Sequence, residues 1–74
     1  MVRYEIQYKK EINGIKPGPE TLYVDSPYIK EGLEAVMKRC NAIKNDIRIQ
    51  RGAKLLEMKF RQLPSGKWQS LDGL

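Results

Sequence analysis

The stretch Val2-Arg3-Tyr4-Glu5-Ile6-Gln7-Tyr8-Lys9-Lys10-Glu11-Ile12 decides the fold class. Its even positions are Val2, Tyr4, Ile6, Tyr8, Lys10 and Ile12; its odd positions are Arg3, Glu5, Gln7, Lys9 and Glu11. Successive side chains on a strand point to opposite faces, so this period of two predicts a half-buried strand whose even residues turn to a core. Asn13-Gly14 is a strong turn pair, but Lys16-Pro17-Gly18-Pro19 extends the connection. A loose hairpin loop is therefore expected in place of a two-residue turn. Glu20 to Val24 is a second strand, with Leu22 and Val24 inward and Thr21 and Tyr23 on the opposite face.

At Asp25-Ser26-Pro27 the period changes. Ser26 is placed to accept a hydrogen bond from the first turn of a helix, and Pro27 suits the first helical position. Ile29, Leu33, Val36, Met37, Cys40 and Ile43 form one apolar stripe at helical spacing, and Lys30, Glu31, Glu34, Lys38 and Lys44 fall off it. Asn45 is the expected stop. Ile47-Arg48-Ile49-Gln50 alternates again, Arg51-Gly52 interrupts, and Leu56, Met58 and Phe60 alternate against Leu55, Glu57, Lys59 and Arg61, which predicts two more strands. Pro64-Ser65-Gly66 reverses the chain into a short last strand, Lys67 to Leu71, whose facing depends on loop length. Asp72-Gly73-Leu74 is expected to fray. Tyr8 and Tyr28 are expected to pack at the sheet edge and the helix start.

The expected fold is α+β: a single antiparallel sheet of four to five strands with one helix packed across one face, ββαββ(β), in one domain spanning residues 1–74. The covered face would take Val2, Tyr4, Ile6, Leu22, Val24, Ile47, Ile49, Leu56, Met58 and Phe60. The open face would show Arg3, Gln7, Lys9, Thr21, Tyr23, Arg48, Gln50, Lys59 and Arg61, with Glu5 and Glu57 as minor negative points. In a chain of 74 residues almost every apolar position is needed inside. With one cysteine and no histidine there is neither a disulfide nor a Cys/His metal cluster, so no cofactor is expected and a reducing, cytoplasmic setting is the default. The alternating N-terminus reads as neither a signal peptide nor a membrane span.

The same composition argues against catalysis. General acid–base work near neutral pH most often uses histidine. Cys40 lies on the helix stripe as a core residue, Ser26, Ser65 and Ser70 have no partner base, and the prolines of Lys16-Pro17-Gly18-Pro19 remove the N–H donors that a phosphate loop requires. No enzyme and no small-molecule substrate is expected.

Charge points to binding instead. Residues 38–67 hold nine cations against two acids, a local +7, whereas the first 37 residues hold five cations and six acids. A domain polarised in this way attracts an anionic partner. The residues expected to bind are Arg48, Arg51, Lys54, Lys59, Arg61 and Lys67, with Trp68 and Tyr23 available to stack on bases or anchor a partner. For Trp68, closing the end of the core beneath the final hairpin is an alternative role.

The order of strand, Gly/Pro loop, strand, Ser26-Pro27 opening a helix with Glu34-Ala35-Val36, and a strand pair ending in Gly66-Lys67-Trp68 resembles small phage-encoded ββαββ proteins, among them some anti-CRISPR inhibitors. The resemblance implies a non-enzymatic basic protein docking on nucleic acid or a nucleic-acid-processing complex. The positive charge departs from the acidic nucleic-acid mimics among such inhibitors. The alternatives are a protein–protein adaptor acting through Trp68, Tyr23 and an exposed strand edge, with a homodimer as one form, and a structural component of a larger assembly.

Overall fold

A computed structural model describes residues 1–70. The chain is α+β: β1 (Val2–Ile12), β2 (Glu20–Ser26), α1 (Ile29–Ile49), β3 (Ala53–Gln62) and β4 (Gln69–Ser70). The strands form one antiparallel sheet in the order β2-β1-β3-β4, and α1 packs on one face of it. Leu71, expected in the last strand, and the frayed Asp72-Gly73-Leu74 lie outside the described residues.

β1 organises the sheet because it pairs on both sides, with β2 from Val2↔Ser26 to Tyr8↔Glu20 and with β3 from Tyr4↔Gln62 to Ile12↔Ala53. Its even residues face the helix. Tyr4 and Ile6 are fully buried there and join Val36, Cys40, Met58 and Phe60 in one core, flanked by Val2, Tyr8, Leu22, Val24, Ile43 and Leu55. The hydroxyl of the buried Tyr4 donates to the Ile29 carbonyl at 3.2 Å, which ties the strand to the start of the helix. Gly32 permits this approach, since a Cβ there would stand 2.5 Å from the Tyr4 ring and 3.2 Å from Ser26 Cβ.

The β1–β2 connection contains both a tight turn and a loose segment. Asn13 (φ 51°) and Gly14 (φ 81°) form a two-residue turn, closed by reciprocal bonds between Ile12 and Ile15 at 2.8 and 2.9 Å, and residues 16–19 then run on to β2. The expectation of a loose loop alone was incomplete, because both residues adopt the positive φ that a hairpin turn of this length requires. At the other end of β2, Ser26 is the last strand residue. Its buried hydroxyl accepts from the Tyr28 N–H at 3.4 Å and donates to the Tyr28 carbonyl at 3.0 Å. The helix begins two residues later than Pro27, with Tyr28 as an N-cap that makes no side-chain bond. Tyr28 is exposed and does not pack.

Three expectations about the core are corrected. Ile47-Arg48-Ile49-Gln50 is not a strand: α1 runs through Asn45 to Ile49, and the Gln50 N–H closes it on the Ile47 carbonyl. The cause is apolar spacing, because Ile47 continues Val36, Cys40 and Ile43 at intervals of three and four and is buried, leaving Ile49 at 81% exposure. The stripe is accordingly rotated from the expected one, and Ile29 and Leu33 are exposed. On β3, Lys9 pairs with Glu57 but Lys10 pairs with Leu55, so Leu56 is the extra residue of a bulge. Leu55 therefore turns to the core and Leu56 is 41% exposed, the reverse of the expected order.

The helical placement separates the two isoleucines energetically. Ile47→Ala should lower unfolding stability by about 2–5 kcal/mol through the cavity it leaves. Ile49→Ala should stay within about 0.5 kcal/mol of the parent in urea unfolding. Equal losses at both positions would contradict the helix.

Candidate binding surfaces

The face of the sheet away from α1 is built from odd residues of β1 and their cross-strand neighbours. Tyr23 stands opposite Glu5 and Glu5 opposite Arg61 in the ladders, and Trp68, one residue before β4, continues this row beyond Arg61. The Trp68 ring lies 4.5 Å from the Arg61 guanidinium carbon and 4.8 Å from Lys59 Nζ, so it packs over two cations of the open face. This settles its facing. Trp68 does not close the core, because the Phe60↔Gln69 and Lys59↔Ser70 register turns it to the other side.

Charge on this face is spent locally. Arg61 Nε donates to Glu5 Oε1 at 2.7 Å, and the Glu5 side chain is only 15% exposed. Arg3 binds both oxygens of Asp25, at 2.7 and 3.2 Å, and this hydrogen bond, with the charge it carries, holds Asp25 below and Arg3 above its ordinary pKa. Lys9 and Lys59 lie 3.5 and 3.9 Å from the two oxygens of Glu57. Tyr23 leans on Glu5 at 3.5 Å and lies beneath Arg3 at 5.8 Å. Each pair is worth little on an exposed surface. Together they offset most of the field that Lys59 and Arg61 were expected to project, three carboxylates standing against four cations.

Arg48 is not beside Lys59 and Arg61. It occupies the last turn of α1, where a cation complements the negative end of the helix dipole. Arg51 lies in the turn after the helix, and Lys54 stands opposite Glu11 near the start of β3. Lys67 lies in the connection to β4. The sequence-predicted residues thus divide into a sheet group (Tyr23, Lys59, Arg61 and Trp68) and a helix-end group (Arg48 and Arg51), with Lys54, three residues after Arg51, on the open face of β3 opposite Glu11.

The helix-end group has members that were not singled out. Residues 38–54 carry Lys38, Arg39, Lys44, Arg48, Arg51 and Lys54 against Asp46, a net +5, which equals the formal charge of the whole chain. The rest of the chain holds eight cations and eight acids. Among the described residues none of these six cations has a carboxylate at ion-pairing distance, and all but the half-buried Lys44 are exposed. Lys38, Asn41, Asn45 and Arg48 recur at helical spacing on the solvent side, and residues 38–49 span about 18 Å along the axis. The signal was present in the sequence as a charge count, but reading Ile47 to Gln50 as a strand dispersed it.

Two further titratable groups, Tyr8 and Cys40, are shifted by burial. Burial, then the hydrogen bond to Glu20, pushes the Tyr8 hydroxyl up to about 12. Burial pushes the Cys40 thiol up from 9.0 to about 11. No protein-family model, curated protein or solved structure matches the chain. Among the described residues no helix is long and apolar enough to cross a membrane.

The Cys40 shift has a testable sign. A raised folded pKa favours the neutral thiol, so its contribution to stability is complete below pH 9 and is lost as pH rises through about 11. At pH 8 iodoacetamide should label urea-unfolded protein and leave native protein unlabelled, as read by mass spectrometry. Rapid labelling of the native state would place the thiol outside the core.

Proposed function

We propose that this chain is a non-catalytic binding module acting in the cytoplasm, whose cationic helix end engages nucleic acid or a nucleoprotein complex. One observation carries this reading: the whole net charge of +5 resides in residues 38–54, in side chains without carboxylate partners among the described residues, while Arg3, Lys9, Lys59 and Arg61 of the open sheet face are ion-paired. Phosphates arrayed along a backbone suit such a surface, because each neutralised phosphate releases condensed counterions. The layout resemblance to small phage-encoded inhibitors favours a protein that occupies a nucleic-acid path on such a complex. Catalysis finds no support in a chain without histidine whose sole thiol is buried.

Fluorescence anisotropy with labelled single- and double-stranded oligonucleotides tests the proposal. Affinity should fall steeply with salt, and each phosphate contact removed by Lys38→Ala, Arg48→Ala or Arg51→Ala should flatten the log–log slope by about 0.9 on duplex or about 0.7 on single strands. Lys59→Ala and Arg61→Ala should leave the slope unchanged. Absence of binding at low salt removes direct nucleic-acid contact, and losses confined to the Lys59 and Arg61 variants would move the site to the sheet.

A further inference from the structure

The two long outer strands of the sheet differ in how their free edges are guarded. β3 carries Lys54 and Lys59, is bulged at Leu56, and is capped by β4 at Lys59 and Phe60. Charged residues, bulges and covering strands are the usual devices that prevent a free edge from pairing with another chain. Among the described residues β2 has no bulge, no covering strand and no cation; its two charges, Glu20 and Asp25, are acids engaged by Lys10 and Arg3. Its seven residues, Glu20-Thr21-Leu22-Tyr23-Val24-Asp25-Ser26, contain no lysine, arginine or proline and pair with β1 without a register shift. Pro19 and Pro27 stand just outside its two ends. Thr, Leu, Tyr and Val in its centre suit a strand, and its outer edge has no neighbour among the described residues.

We propose that the β2 edge pairs with the β2 edge of a second copy of this chain, antiparallel about a twofold axis at Tyr23. The register follows from the sequence. Directly opposed residues in an antiparallel pair lie on the same face, and centring on Tyr23 is the arrangement that keeps faces matched while using all seven residues. Glu20 then meets Ser26, Thr21 meets Asp25, Leu22 meets Val24 and Tyr23 meets its own copy. No like charges are opposed. Leu22 and Val24, half-buried beside the helix, gain cover from the partner's same pair. Thr21 brings a hydroxyl donor to Asp25, whose carboxylate Arg3 already orients. Tyr23, 56% exposed on the open face, meets an identical ring. Such an interface is isologous and closes as a dimer with one continuous sheet of eight strands and both helices on the same face. This inference is independent of the cationic helix end.

Sedimentation equilibrium from micromolar to millimolar protein, without nucleic acid, provides the test. The parent chain should rise from monomer to twice that mass. Tyr23→Lys, which opposes two ammonium groups at the dyad, should remain monomeric with an unchanged circular dichroism spectrum. Should that variant unfold, oxidation of Tyr23→Cys decides, since the two introduced thiols would face each other. A covalent dimer should form there and not in Leu56→Cys on the β3 edge. A parent chain that stays monomeric throughout, a dimer that survives Tyr23→Lys, or cross-linking through Leu56→Cys in place of Tyr23→Cys would overturn the proposal.

Discussion

A single helix covers a single face of a sheet, and the rest of this structure follows from that limit. The covered face takes the even residues of β1 and builds the core around Tyr4, Ile6, Val36, Cys40, Met58 and Phe60. Among the described residues no layer covers the other face, and its polar side chains pair with one another across the strands. Glu5 is at the centre of this arrangement, accepting from Arg61 on β3 and meeting the Tyr23 hydroxyl on β2. The same strand that specifies the core by its even positions thus orders the charge of the open face by its odd ones.

Electrostatics then separate into two regions of different character. On the sheet, Arg3, Lys9, Lys59 and Arg61 each have a carboxylate within reach, and Trp68 lies over two of them. Along α1 from Lys38 and through the turn after it, Asp46 is the one acid among five cations. Within the last turn Arg48 also complements the negative end of the helix dipole, so at that position helix stability and attraction of an anionic partner do not conflict.

The sequence made much of this fold legible. The alternation of β1 is long enough to be unambiguous, and Leu22 and Val24 on β2 repeat it. The failures are local and have identifiable causes. Ile47-Arg48-Ile49 satisfies a period of two over three residues, but Ile47 also satisfies the helical period begun at Val36, and burial selects the helix. An extra residue at Leu56 reverses the facing of Leu55 relative to a regular strand, and no local composition announces a bulge. The side on which Trp68 falls depends on pairing two residues of β4 with Lys59 and Phe60, a tertiary fact. Of the binding residues, the cationic half was legible as composition, but the grouping of Arg48 with Lys59 and Arg61 rested on the misread segment. Which cations are free and which are paired depends on cross-strand partners far apart in sequence, such as Glu5 and Arg61.

The central claim is that attraction for an anionic partner comes from residues 38–54 and not from the open face of the sheet. Amide NMR of isotopically labelled protein, titrated at low salt with a short DNA duplex, reads this residue by residue. The account predicts shift changes concentrated in the second half of α1 and the turn through Arg51, with Tyr23, Arg61 and Trp68 unmoved. Changes centred on Tyr23, Arg61 and Trp68, or none anywhere, would contradict it.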